Sequence, residues 1–431
     1  MPARSRAFRR LCLVALLAAL LLTSCGQDES APVARRVMII GIDGLEWDVM
    51  APLLESGRLP TFDRLIREGT WGELTSLEIL ESPVIWTSIA TGKTPDKHGI
   101  TGFAKRNAGG TDVPMTSNVR RVEAVWDILG GRGWTVGVVG WLATWPATSV
   151  NGYMVTDHFN YGQGAGGAVP ENVTYPPALV DSLSRFLLTP GDIADGSAAA
   201  FVRGGAPEDV AARRRFDAIK VALATDETTR QVALHLGRSV PTDFFTAYLR
   251  GVDGPSHFFW VDMLPDSGPT ATEDDAEAFG EVVPRYYEYM DGVLAEFLRL
   301  ADDNTTVIVT SDHGHSGPKL RGDDYVWGIA MHDRTGFVCF WGKDIVAGRQ
   351  LEAASVLDLT PTILALCGLP VAEDMDGRVL REAIEPDFLL AHPVDTVPTY
   401  ETGARAVDEE PIESSVDEEI REKLRSLGYI E

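Results

Sequence analysis

Apolar residues in this chain arrive in short, nearly unbroken runs with stretches of helical periodicity between them. The runs are VMIIGIDG from Val37 to Gly44, WTVGVVGW (134–141), DFFTAYLRGVDG (243–254), TTVIVTSDHG (305–314) and GFVCFWG (336–342). A strand with one wet face alternates apolar and polar residues, whereas a strand covered on both faces does not. The pattern predicts an α/β protein with a doubly wound, mostly parallel sheet and helices on both faces. Residues 151–240 break the rhythm with Gly- and Pro-rich loops around helical pieces, and read as an insertion that caps the sheet edge. A Pro-, Thr- and charge-rich linker is expected at 391–412. Residues 413–431 then carry apolar Val416, Ile420, Leu424 and Leu427, a Ser415–Glu418 capping box and Gly428 as a stop. These are the marks of an amphipathic helix docked on the core.

The N-terminus follows a different logic. Arg4, Arg6, Arg9 and Arg10 precede an apolar run from Leu11 to Leu22 that is too short to cross a bilayer as a helix, so 1–24 reads as an export signal. The run ends in Leu22-Thr23-Ser24-Cys25, similar to the lipobox of bacterial lipoproteins, whose cysteine carries the lipid. An ordinary cleaved signal with an incidental cysteine is the alternative. The lipoprotein reading makes 1–24 a signal peptide, Cys25 a lipid-attachment residue and 25–36 a linker. It places the protein at a bacterial cell envelope, periplasmic or outer-surface, held by its lipid anchor.

The formal net charge is −25, and −29 once the four arginines of the signal are removed. Such an acidic excess disfavours binding to nucleic-acid phosphates, so no nucleic-acid partner is expected. A phosphate-bearing substrate then has to be drawn in by local positive charge such as metal ions. Cys339 and Cys367 both sit in apolar runs and read as buried thiols, with a single bridge as the alternative.

Polar residues follow several of the apolar runs. Asp43, Asp253, Asp312 and His313 stand where open parallel sheets place their ligand sites. His257, His315 and His332 lie close by in sequence. Carboxylate and imidazole donors with no nearby cysteine suit zinc, manganese or another divalent ion, and three ligands per ion leave an open position for chemistry. A nucleophile is sought in SPVIWTSIATG, which has the punctuation of a short helix: Ser82 at the N-cap, Pro83 at N1 and Gly92 past the end. Thr87, Ser88 and Thr91 then fall in the helix body and bond back to carbonyls four residues earlier. Ser82 alone stands at the positive helix end, a place suited to a phosphoryl group and equally to an ordinary cap.

IGIDG, SPVIWTSIATGKTPDKHGI, RGVDGPSH, TSDHG and the histidine of AMHDRTG occur in that order. The set resembles the alkaline phosphatase superfamily and, within it, the type I phosphodiesterase and nucleotide pyrophosphatase branch. The resemblance implies an alkaline-phosphatase-like catalytic domain over 37–390 and a phosphoric ester hydrolase acting on a phosphorylated small molecule or lipid head group. It implies that Asp43, Asp312, His313 and Ser82 bind one zinc-like ion, and that Asp253, His257 and His332 bind the second. It also makes Ser82 the nucleophile that carries a phosphoserine intermediate. His315 has no place in that set and reads as a loop histidine or a group behind the ligands; His98 reads as ordering the turn after the nucleophile helix. Phe103 stands where nucleotide pyrophosphatases carry an asparagine that contacts the phosphoryl group. The sulfatase pattern C/S-x-P-x-R is absent from SPVIW. Two alternatives share these residues: a transferase or mutase passing the phospho group to another acceptor, and an envelope lipoprotein that binds its ligand without chemistry.

Overall fold

A computed structural model describes residues 35–430 apart from 108, 162–168, 265–271, 322, 323, 327, 402 and 404–407. The expected signal and Cys25 lie outside the described residues.

The main sheet consists of β1 (Arg36–Ile42), β2 (Thr70–Thr75), β3 (Val136–Val139), β4 (Gly152–Val155), β5 (Thr174–Tyr175), β6 (Phe244–Leu249), β7 (Thr305–Thr310), β8 (Thr335–Gly342) and β9 (Arg349–Gln350). Its order is β9-β2-β8-β7-β1-β6-β3-β4-β5. The centre, from β7 through β4, is parallel. β8 runs antiparallel to both β7 and β2, and β5 runs antiparallel to β4. The sheet is thus mostly parallel with antiparallel flanks, as expected for an α/β core. The central strands β6 and β7 are buried at every residue, which is why their sequences show no alternation.

Six helices matter for the site: α1 (Ser82–Thr91), α2 (Val210–Ser239), α3 (Asp253–Met263), α4 (Val282–Leu298), α5 (Leu359–Leu366) and α6 (Asp417–Ser426). Side chains alternate across β1, so its two faces meet different partners. Met38, Ile40 and Ile42 join a core that includes Phe216 and Ile219 of α2 and Tyr286 and Met290 of α4. On the other face, Gly41 lies under Trp86 of α1: a Cβ there would stand 2.6 Å from the indole. Only a residue without a side chain lets the helix come this close. Of the stretch 151–240, Gly152–Val155 extends the sheet as β4, and α2 packs on β6 and β3.

At the C-terminal end the capping differs from the expected Ser415–Glu418 box. Ser414 Oγ accepts the Val416 N–H at 3.3 Å and donates to the Asp417 carboxylate. No capping box forms: Val416 is the N-cap and makes no side-chain cap bond, and the Ser414–Asp417 pair orders the chain just before the helix. Glu418 is left on the outer face, paired with Arg421 at 2.7 Å and Arg425 at 3.2 Å. Val416, Ile420 and Leu424 pack around Tyr161, with Phe103, Tyr429 and Ile430 against them. Cys339 and Cys367 are buried free thiols. Among the described residues no helix is long and apolar enough to cross a membrane.

Candidate active site

Parallel register brings the first ligands together. Gly41 of β1 pairs with Thr310 of β7, so Asp43 and Asp312, each two residues further on, emerge side by side. His313 follows Asp312, and its Nε2 is 3.3 Å from Asp43 Oδ1 and 3.6 Å from Asp312 Oδ2. A second register pair, Ile42 with Leu249, aligns β6 so that the loop after it returns to the same edge. There the Asp253 N–H donates to the Asp43 carbonyl at 3.2 Å. Gly44, at φ +77°, makes the turn that this contact needs, because a Cβ on it would lie 2.8 Å from Asp253 Cβ.

Asp253 opens α3, and His257, one turn later, faces the same way: its Nε2 is 3.2 Å from Asp253 Oδ1. His332 arrives on a two-residue strand, His332–Asp333, that pairs antiparallel with Gly314–His315, with Nε2 3.1 Å from His257 Nε2 and 3.3 Å from Asp253 Oδ1. The donor atoms form two groups, each within 4.8 Å: Asp43, Asp312 and His313; and Asp253, His257, His315 and His332. Stacked rings of His313 and His332, 3.8 Å apart, join them. His315, which the sequence reading set aside, therefore lies with the second group, 2 % exposed and 3.6 Å from Asp253 Oδ1.

The surroundings orient these donors. His313 Nδ1 is 2.8 Å from the Gly314 carbonyl and His332 Nδ1 is 2.8 Å from the Leu80 carbonyl. A carbonyl only accepts, so each Nδ1 carries the proton and each Nε2 lone pair faces the site. Tyr248 donates its hydroxyl to Asp43 Oδ2 at 2.6 Å and fixes that carboxylate. Sequence reading missed Tyr248, since a buried tyrosine inside an apolar strand gives no signal of its own.

Electrostatically the site is short of positive charge. Burial, and after it the charge of Asp253, raises the Asp43 pKa; burial and then Asp43 raise that of Asp312. Burial acts upward on Asp253 too, but His257 first, then His315 and His332, hold it below the usual carboxylate range. Burial lowers His313 and takes His315 down to about 3, keeping both imidazoles neutral. Asp43 Oδ1, Asp253 Oδ1 and both oxygens of Asp312 have no hydrogen-bond partner. Orphaned buried carboxylate oxygens facing neutral imidazole lone pairs fit a divalent cation and are costly without one. The residues present are thus a buried metal-capable site.

Ser82 is placed one position later than expected. Glu81 is the N-cap, extended at φ −98° and ψ 117°, and Ser82 is the first helical residue. The Glu81 carbonyl accepts from Val84 and Ile85, and its carboxylate accepts the Phe103 N–H at 2.7 Å. Because Glu81 closes the helix through its backbone, the Ser82 hydroxyl makes no cap bond. It stands 3.4 Å from His313 Nε2 and 3 % exposed. Thr87 and Thr91 do bond back, to the carbonyls of Pro83 and Thr87. Ser88 instead meets His98 Nε2 at 2.9 Å, while His98 Nδ1 accepts the Ile100 N–H at 3.1 Å. His98 thereby ties α1 to the turn that follows it.

Beside Ser82 a chamber runs between α2, α3 and α6, lined by apolar Met115, Leu142, Val221, Phe258 and Leu424, by the Arg250 guanidinium and by Lys423, whose pKa burial lowers. The phenol of Tyr429, unanticipated from the sequence, closes one side.

A family model described as type I phosphodiesterase / nucleotide pyrophosphatase matches residues 37–346. The chain belongs to this family. The type I phosphodiesterase / nucleotide pyrophosphatase family is one of phosphoric ester hydrolases. No curated protein matches it by sequence. Among solved structures, a 2-O GAG sulfatase is similar at a TM-score of 0.50 and 14 % identity, over 80 % of this chain and 73 % of that one. Human ectonucleotide pyrophosphatase / phosphodiesterase 5 gives 0.48 and 12 %, over 81 % and 98 %. Phosphonoacetate hydrolase from Sinorhizobium meliloti 1021 gives 0.42 and 18 %, over 68 % of this chain and 59 % of that one. The family member therefore spans under two thirds of that hydrolase's length, and the likeness to the sulfatase is one of fold.

Proposed function

We propose that this enzyme hydrolyses phosphate esters at two divalent ions, zinc by preference, with Ser82 as the nucleophile. One observation carries the reading: a buried serine hydroxyl, free of any cap bond, stands at the start of a helix and faces two adjoining groups of carboxylate and imidazole donors. Asp43, Asp312, His313 and Ser82 would hold one ion, and Asp253, His257 and His332 the other. Imidazole and carboxylate without thiolate is the donor set of a catalytic zinc site. When bound, the ions lower the pKa of hydroxyl groups and neutralise phosphoryl charge.

The residues do the rest. Ser82 Oγ attacks phosphorus, the Oγ–P bond forming as the bond to the ester oxygen breaks, and the serine proton leaves with the departing alcohol. Water then displaces Oγ from the phosphoserine, returns a proton to Ser82 and releases the phosphorylated product. Tyr248 holds Asp43, and the carbonyls of Gly314 and Leu80 hold His313 and His332, so that no donor has to reorganise during the reaction. The chamber suits a phosphorylated small molecule or lipid head group carrying an apolar part. Lipid attachment at Cys25 would keep the enzyme at the cell envelope, as the Leu11–Leu22 run and the LTSC ending suggest.

Metal analysis combined with hydrolysis of aryl monoester, diester and phosphonate-ester substrates tests this reading. Ser82→Ala is expected to abolish turnover and keep the bound metal. Wild-type-like activity in that variant would sink the assignment.

A further inference from the structure

Tyr429 reaches the second group of donors from the far end of the chain. Its phenol oxygen lies 2.7 Å from His257 Nε2, 2.9 Å from Asp253 Oδ2 and 3.4 Å from His332 Nε2. The three donors are themselves 3.1 Å, 3.2 Å and 3.3 Å apart. Ligands about 2.0–2.1 Å from a tetrahedral zinc ion stand about 3.3 Å from one another. Asp253 Oδ1, His257 Nε2 and His332 Nε2 thus have the spacing of one face of such a tetrahedron, and Tyr429 Oη, 2.7 Å and 3.4 Å from the two nitrogens and 2.9 Å from the other Asp253 oxygen, Oδ2, is within reach of its fourth corner. His315 is the rival for that corner, but its contact with Asp253 is longer, at 3.6 Å, and its ring packs on Trp260.

The chain is built to put the phenol there. Gly428, at φ +76°, turns the backbone after α6, and the Tyr429 N–H bonds to the Leu424 carbonyl at 2.8 Å. The Phe103 ring stacks on the Tyr429 ring at 4.3 Å and 10°. Phe103 is pinned in turn through its N–H to Glu81, the residue before Ser82. A catalytic ion needs its fourth position open for an oxygen of water or substrate. Here a side chain from just past the last helix stands within hydrogen-bond distance of all three donor residues.

We infer that Tyr429 is a metal ligand: its phenol oxygen supplies the fourth donor beside Asp253, His257 and His332, and the C-terminal segment has to withdraw it before a substrate oxygen can enter. This rests on the two-ion reading above.

The test uses the full chain loaded with Fe(III), whose bond to a tyrosine oxygen gives a strong visible absorption that imidazole and carboxylate do not. Wild type is expected to show the band and Tyr248→Phe to keep it. Tyr429→Phe, which preserves the stack on Phe103, and a chain ending at Leu427 are expected to lose it. In both of these, zinc should pass to a chelator about tenfold faster. The kcat/KM for an aryl phosphate should rise, because the competent state no longer competes with the latch. A band retained in Tyr429→Phe, or absent from wild type with iron bound, overturns the inference and leaves the two-ion reading standing. If metal analysis finds no ion in wild type, both fall. A lower kcat/KM in Tyr429→Phe also overturns it.

Discussion

Asp43, Asp312 and His313 follow directly on neighbouring strands whose register places them, whereas Asp253 and His257 come from a helix and His332 from a two-residue strand outside the main sheet, with Tyr429 from beyond the last helix. The first group inherits its geometry from the rigid centre of the sheet. The second is assembled from segments up to 176 residues apart, one of which follows a glycine turn. Rigid placement suits the nucleophile's side of the reaction, where small displacements are costly. In the assembled group Asp253 and His332 are tied back to Asp43 and His315 through the backbone, and Tyr429 alone of these contacts comes from a segment outside the sheet and its loops.

The sharpest way to separate the two groups is to remove one function from each. Ser82→Ala should cut turnover by about 10⁴-fold or more while metal content stays the same, read by steady-state kinetics and metal analysis. His257→Ala should lose one ion of the two and leave the other in place; loss of both would show the groups to be a single unit.

Smaller effects probe the supports. His98 is held near pKa 3 by burial and then by Arg120, so the unfolded chain binds a proton that the folded chain refuses between about pH 3 and 6.5. Stability from this residue therefore rises with pH across that window. His98→Ala should remove the slope and cost about 1–3 kcal/mol in denaturant unfolding at pH 7. It should also loosen the first group more than the second, because His98 anchors α1.

Glu46 gives the opposite sign. Burial raises its pKa to about 7, above the ordinary glutamate range, so the folded state holds the proton more tightly and stability declines as pH climbs from about 4.5 to 7. Its carboxylate accepts the His315 N–H at 3.0 Å, so it supports the second group. Glu46→Gln should flatten that decline, the smallest of these effects, seen as melting temperature against pH.

Much of the first group was legible in the sequence. Near-continuous apolar runs revealed β1, β6 and β7, and polar residues just past them revealed Asp43, Asp312 and His313. The TWGELT strand β2 carried too mixed a pattern to stand out, and the antiparallel direction of β8 is a matter of connection that composition does not encode. Ser82 was found within one position, because Ser82, Glu81 and Pro83 all satisfy helix-start preferences and only the backbone dihedrals of Glu81 decide between them. The expected Ser415 cap fails because the helix starts one residue later, at Val416, which has no side chain that could cap it. Tyr429, Tyr248 and the grouping of His315 left no local trace, since each acts through a contact with residues distant in the chain. The Phe103 ring, for its part, is the platform against which Tyr429 stacks.

The contact of α1 with the sheet carries one more consequence. Trp86 lies edge-on to Tyr248 with ring centroids 5.0 Å apart, and Tyr248 holds Asp43. A change in the charge beside Asp43 is therefore felt within one aromatic ring of an indole shielded from water. The protein's tryptophan emission should therefore change as the first ligand group fills, and that change should shrink in Trp86→Phe, which separates this indole from the other nine.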